Sequence, residues 1–248
     1  PIGKGKAVIY NMVSKKKIIL LAILAIIVIF GVYLFLNYQQ GQETFKGEHN
    51  ILILCSDPSE NRPGVGSVDM AFVVNVNNGK LGNVTPVYPG GLAHPTLTPT
   101  PDMQAEGLTR WYLHDSLWSS DLENGTKIAQ EIVEYHTGMK TDMVLVVTPT
   151  AIDAMINAVG PVYSNGQLVE NVSSIDFLRE DQSNNGATRG DAIENLAQGI
   201  IDSAKKNNNK GALIQAGIEQ YSQGNIKAVP ASEFAQFISY SGLNNLLG

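Results

Sequence analysis

ILILCSDPSENRPGVGSVDM, residues 51–70, decides the fold. Its first four residues are all apolar, the pattern of a strand buried on both faces rather than one with a wet side. Turn formers fill the next stretch, and a second strand begins near Asp69 and runs to Asn75. Asn77-Asn78-Gly79-Lys80 then predicts a tight hairpin, because Asn and Gly tolerate positive φ, and the chain returns in a third strand over about 81–88.

Working downstream, PGGLAHPTLTPTPD (89–102) carries four prolines and two glycines and is long for a plain connection, so it is expected to cover or bind something. Residues 122–136 place Ile128, Ile132, Val133 and Tyr135 at helical spacing, with Gly138 as the stop. A buried strand MVLVV (143–147) follows, then a helix opened by Thr148-Pro149 that carries Ile152, Met155, Ile156 and Val159. Residues 162–170, bent at Asn165-Gly166, predict a small hairpin, and three helices are expected over about 191–205, 212–223 and 231–247. Strands alternating with helices imply an α/β fold, a central mixed sheet flanked by helices in an αβα sandwich.

Upstream, IILLAILAIIVIFGVYLFL (18–36) is nineteen residues without a charge. At about 1.5 Å per residue that helix is as long as a bilayer core is thick, and it exceeds the apolar core of a signal peptide. Lys15, Lys16 and Lys17 on its N-terminal flank orient it with the N-terminus in the cytoplasm. The expected organisation is a cytoplasmic basic stub (1–17), a transmembrane helix (18–36), a tether (37–48) and an extracytoplasmic domain (49–248). This places the chain in the plasma membrane as a single-pass protein, with the bilayer as one partner and Gly31 in the helix as a contact point for other membrane proteins.

Five lysines are the only charges before Glu43, so the remaining 12 basic residues face all 23 acidic ones. An acidic outer body repels phosphodiester backbones, which excludes nucleic acid as a partner. One cysteine, Cys55, allows no intrachain disulfide, and His49, His94, His114 and His136 stand too far apart for a zinc motif. Asn83, Asn124 and Asn171 head three Asn-x-Ser/Thr sequons, all in the part expected outside, and are glycosylation candidates.

Asp57, Glu60, Arg62 and Asp69 fall within thirteen positions, and Asp57 directly follows the first strand. In open α/β sheets ligands bind beyond the carboxyl ends of strands. Asp57 and Asp69 together suit a hard cation such as Mg²⁺, which shares oxygen ligands with substrate phosphates. The alternative is a solvated loop with an Asx-turn at Asp57-Pro58. His114-Asp115-Ser116 mimics a hydrolase triad, but adjacent residues on a helix point in different directions, so surface pairing is expected there. Trp111, Tyr112 and Trp118 with Leu108, Leu113 and Leu117 are expected to pack in the core.

The block 49–57, then Gly66-Ser67-Val68-Asp69-Met70 and the Asn78-Gly79-Lys80 turn, resembles the opening of the LytR-CpsA-Psr family. Residues 141–147 and Ala151-Ile152-Asp153 to Val159-Gly160-Pro161-Val162 are similar to that family's later strand and helix, and Arg179 and Arg189 fall where it has late arginines. The resemblance covers roughly 50–206. It implies an outer α/β domain that binds polyprenyl-pyrophosphate-linked envelope glycopolymers and transfers them with Mg²⁺. It also implies a site in which Asp57 and Asp69 hold the metal while Arg179 and Arg189 face the pyrophosphate. Such proteins carry an arginine and an aspartate after a proline at the end of the third strand, whereas residues 85–91 here read TPVYPGG. That departure marks a divergent relative, on the side of an archaeal branch of outer-surface domains. It also sets a phosphotransferase-like enzyme against a non-catalytic surface or membrane-complex subunit that uses the same fold for protein contacts.

Overall fold

The computed structural model describes residues 15–60, 62–169, 173, 174, 176–178, 180 and 189–243, with the side chains at 15–27, 30, 189, 190, 193, 242 and 243 outside the description. Helix α1 spans Lys15–Thr44. Strands β1 (Glu48–Asp57), β2 (Ser67–Asn77) and β3 (Lys80–Val87) follow. Next come a short helix α2 (Pro101–Ala105), a 3₁₀ turn (Leu113–Asp115), α3 (Leu122–Thr137), β4 (Met143–Val147) and α4 (Pro149–Val159). The small hairpin β5 (Val162–Ser164) and β6 (Gln167–Val169) leads to α5 (Arg189–Lys206), α6 (Lys210–Ser222), β7 (Ile226–Val229) and α7 (Ala231–Leu243).

The sheet runs β3-β2-β1-β4-β7. β1 and β4 are parallel and the other pairs antiparallel, so the sheet is mixed, as the alternation of elements implies. Asn78 and Gly79 both take positive φ (49° and 76°), the two-residue turn whose twist matches that of the flanking strands. Gly138 ends α3 in the left-handed conformation, and Asp121 caps its start by accepting from the Asn124 N–H.

Side chains alternate across β1 and give the layers. Leu52 and Leu54 face α3, packing with Ile128, Ile132 and Val133 and with the loop residues Trp111, Leu113, Leu117 and Trp118. Ile51, Ile53 and Cys55 face the opposite way, toward the layer built from α4 to α7. Helices therefore cover both faces of the sheet. Trp111, Leu113, Leu117 and Trp118 belong to the core, as expected, although they sit on a loop and a 3₁₀ turn. β7 was not anticipated: IKAV is a four-residue run with a lysine, too short to register as a strand until it pairs with β4.

The tether expected at 37–48 is not one. Helix α1 continues to Thr44 and its last turns pack on α7, with Thr44 Oγ1 donating to Gln236 at 3.0 Å and the Tyr38 and Tyr240 rings 6.0 Å apart. A Cβ on Gly41 would come within 2.5 Å of the Gln236 carbonyl oxygen, so this glycine permits close approach of the two helices. Among the described residues no helix is long and apolar enough to cross a membrane. The 18–36 run lies on α1, and most of its side chains are outside the described residues, as is the stub up to residue 14.

Candidate functional site

The carboxyl end of β1 is where the two sequence-derived carboxylates stand. Asp57 is 8 % exposed and its Oδ1 accepts the Ser59 N–H at 2.8 Å, the Asx-turn weighed above. The chain returns against it at Gly66, whose φ of 106° and close approach to the Asp57 carbonyl oxygen leave room for glycine alone. Asp57 pairs with Ser67 across the β1–β2 ladder, and Ser56 with Val68, but Cys55 pairs with Met70. Asp69 is thus the extra residue of a β-bulge, a device that re-aims a side chain at the end of a ladder. Its carboxylate acts on the Cys55 thiol, which burial first and Asp69 second push up to about 12. That thiol is inert as a nucleophile near neutral pH.

Two Asp side chains on adjoining strand ends are hard oxygen donors. They suit a cation that takes its other ligands from a phosphate and water. Among the described residues no group of three or more His, Cys, Asp or Glu side chains forms a metal cage. The side chains of Arg179 and Arg189 lie outside the described residues, and so does Asn171. Asn83 is exposed on β3, whereas Asn124 lies in the first turn of α3 with its sequon Thr126 buried.

Two concavities flank this strand end. On the face of α4 to α7, an apolar cavity of about 270 Å³ runs along β1 from Ile51 through Ile53 to Cys55 and is lined by side chains such as Leu145, Ile200, Leu213 and Phe234. Four strand residues span about 13 Å. At the Ile51 end, the lining residue Phe237 stacks edge-on against Phe45, just past the end of α1, at 5.3 Å. At the Cys55 end are Met70 and Leu178. The cavity therefore runs along β1 from beside Phe237, which meets Phe45, to Cys55 and Met70, next to Asp57 and Asp69 in the chain.

On the opposite face an open polar crevice of about 660 Å³ is lined by Glu60, Arg62, Asp102, Glu106, His114, Asp115 and Trp118, among others. The surface pairing expected for His114-Asp115 is corrected here. Leu113–Asp115 forms a single 3₁₀ turn that the loop folds inward, and Asp115 has 0 % exposure. Its Oδ1 accepts from Arg62, whose guanidinium also contacts Glu60 at 3.2 Å and lies 5.1 Å from the centre of the Trp118 ring. His114 Nε2 is 2.8 Å from Asp115 Oδ2. Asp102 accepts from the Trp118 indole at 2.5 Å, and hydrogen bonds from Thr100 first and Trp118 second hold its carboxyl below the usual range.

Part of the proline-rich segment 89–102 covers the core, with Ala93 and His94 buried and Leu92 packed on the α3 face, while residues 95–98 are exposed. His94, 7 % exposed, accepts the Thr96 and Leu97 N–H groups on Nδ1 at 3.2 and 2.9 Å, so its Nε2 carries the hydrogen that meets Glu131 of α3 at 2.9 Å. Arg62 and Asp115 were not singled out as partners from sequence, because 53 positions separate them.

With this geometry in place, comparison with known proteins is informative. A family model described as DUF4012, protein of unknown function, matches residues 46–182, more than half of the chain. The chain belongs to the DUF4012 family. The DUF4012 match includes Asp57, Asp69, the polar crevice and Arg179, and it ends before Arg189. Among solved structures this DUF4012 chain is similar to protein gbs0355 from Streptococcus agalactiae, with TM-score 0.55 and 16 % identity over 81 % of this chain and 76 % of that one. It is also similar to TagV of B. subtilis, with TM-score 0.50 and 15 % identity over 79 % of this chain and 80 % of that one. At such identities the likeness to LytR-CpsA-Psr proteins is one of fold. No curated protein sequence matches the chain.

Proposed function

We propose that this DUF4012 domain is a membrane-anchored receptor for polyprenyl-pyrophosphate-linked envelope glycopolymers. The observation that carries the reading is the apolar cavity along β1. A polyprenyl tail is a flexible hydrocarbon, and a cavity with apolar walls that runs from the end of α1 toward Asp57 and Asp69 offers it a path from the bilayer to the sheet end. The pyrophosphate would then lie at the bulge, where Asp57 and Asp69 would hold Mg²⁺. When bound, that cation offsets phosphate charge. Arg179, directly after the cavity-lining Leu178, and Arg189 are the proposed cationic donors, since guanidinium forks match phosphate oxygens.

The apolar run 18–36 of α1 is the proposed anchor, with the N-terminus in the cytoplasm and the domain outside. In its described part Val28, Ile29, Val32, Tyr33, Leu34, Phe35 and Leu36 are 42–68 % exposed, an apolar surface that the domain does not cover and that lipid suits.

Thermal unfolding of the full chain in detergent, with and without farnesyl pyrophosphate and Mg²⁺, tests the reading. A ligand at about 100 times its Kd adds about 2.7 kcal/mol to stability, so wild type gains several degrees and Asp69→Asn loses most of the gain. No shift in wild type at any ligand or metal concentration overturns it.

A further inference from the structure

The polar crevice is not used by the function proposed above, and its chemistry differs from that of the cavity. Glu60, Asp102 and Glu106 on its walls repel an anion, so it does not suit the pyrophosphate. A neutral polyhydroxylated molecule fits better, since carboxylates accept hydroxyl protons and Arg62 donates.

In this setting we propose that His114, oriented by Asp115, is the general base that takes the proton from an acceptor hydroxyl seated in the crevice. Asp115 is fixed from two sides: its backbone carbonyl accepts the Trp111 indole N–H at 3.2 Å and its Oδ1 accepts from Arg62. Arg62 neutralises the charge of that buried carboxylate, and its second oxygen lies 2.8 Å from His114 Nε2 without a hydrogen-bond partner. The imidazole, 35 % exposed, lines the crevice and stacks on Tyr112 with centroids 5.5 Å apart. With its Nε2 hydrogen turned to that Asp115 oxygen, the imidazole has Nδ1 as the proton acceptor. Besides Asp115 and Tyr112, which contact the ring, the charged groups lining the same crevice are Arg62, Glu60, Asp102 and Glu106. The crevice also adjoins the carboxylate end of the sheet: Ser67, opposite Asp57 on β2, donates its hydroxyl to the His114 carbonyl at 3.3 Å.

The inference rests on the glycopolymer reading. The acceptor hydroxyl oxygen bonds to the sugar-side phosphorus and its proton passes to His114 Nδ1. The bond from that phosphorus to the bridging oxygen breaks, and polyprenyl monophosphate leaves with the electron pair. Nothing is oxidised or reduced. His114 is the catalytic residue in this step and Asp115 a positioning residue.

The test uses the full chain in detergent with Mg²⁺, farnesyl-pyrophosphoryl-N-acetylglucosamine as donor and chitotetraose as acceptor, and reads release of farnesyl monophosphate. His114→Ala is expected to slow release by about 10²–10⁴-fold while donor-induced thermal stabilisation stays at the wild-type level. Added imidazole restores part of the rate. If His114→Ala does not fold, His114→Gln carries the same comparison without the rescue. Wild-type turnover in the variant, or a loss that imidazole does not restore, overturns the inference. Donor binding without monophosphate release in wild type overturns it and leaves the binding reading standing, whereas absence of donor binding removes both.

Discussion

Asp115 has no exposed surface, and its charge is tolerated because Arg62 accompanies it. Taking away one member of such a pair leaves the other charge buried and unpaired, which typically costs about 3–5 kcal/mol. Arg62→Met is therefore expected to lose about that much in urea unfolding, and Arg62→Met with Asp115→Leu to recover most of it. A single variant as stable as wild type would mean that the pair does not hold the loop. At this scale the two carboxylates singled out from sequence, Asp57 and Asp69, both stand at the end of the β1–β2 ladder. Sequence reasoning misjudged His114-Asp115 because helical neighbours diverge, whereas a 3₁₀ turn under Trp111 and Trp118 turns Asp115 inward. It had no means of joining Arg62 to a residue in a distant loop.

Elements were legible where periodicity and turn chemistry agreed. The hairpin at Asn78-Gly79, the stop at Gly138 and the helix after Pro149 follow from local rules that tertiary packing did not override. The stretch after residue 36 misled for the opposite reason: YQQGQET is polar and contains a glycine, so it resembled a linker. That glycine instead marks the crossing of α1 and α7. Gly41→Leu would force the helices apart, at a typical overpacking cost of about 1–3 kcal/mol. The expected outcome is a lower unfolding temperature together with faster amide exchange in α7. Unchanged exchange there would show that α1 and α7 do not form a common seam.

The whole molecule shows why a chain reading can find a fold and miss its opening. Alternating apolar residues in β1 imply two buried faces, and both faces are buried. On one face α3 and the loop pack tightly against the sheet, while on the other α5, α6 and α7 leave a gap that no residue pattern announces, because its walls are made of the same Ile, Leu and Phe that would fill a core. Gaps of this size are rare in protein interiors, which makes it the feature that most needs a function. Ala197 on α5 lines the gap, and a phenylalanine there would occupy it. The deciding measurement is native mass spectrometry of the full chain released from detergent with farnesyl pyrophosphate, comparing wild type with Ala197→Phe. The account predicts one lipid per wild-type chain and none on an Ala197→Phe chain that unfolds at the wild-type temperature or above. Equal lipid occupancy in the two would contradict it.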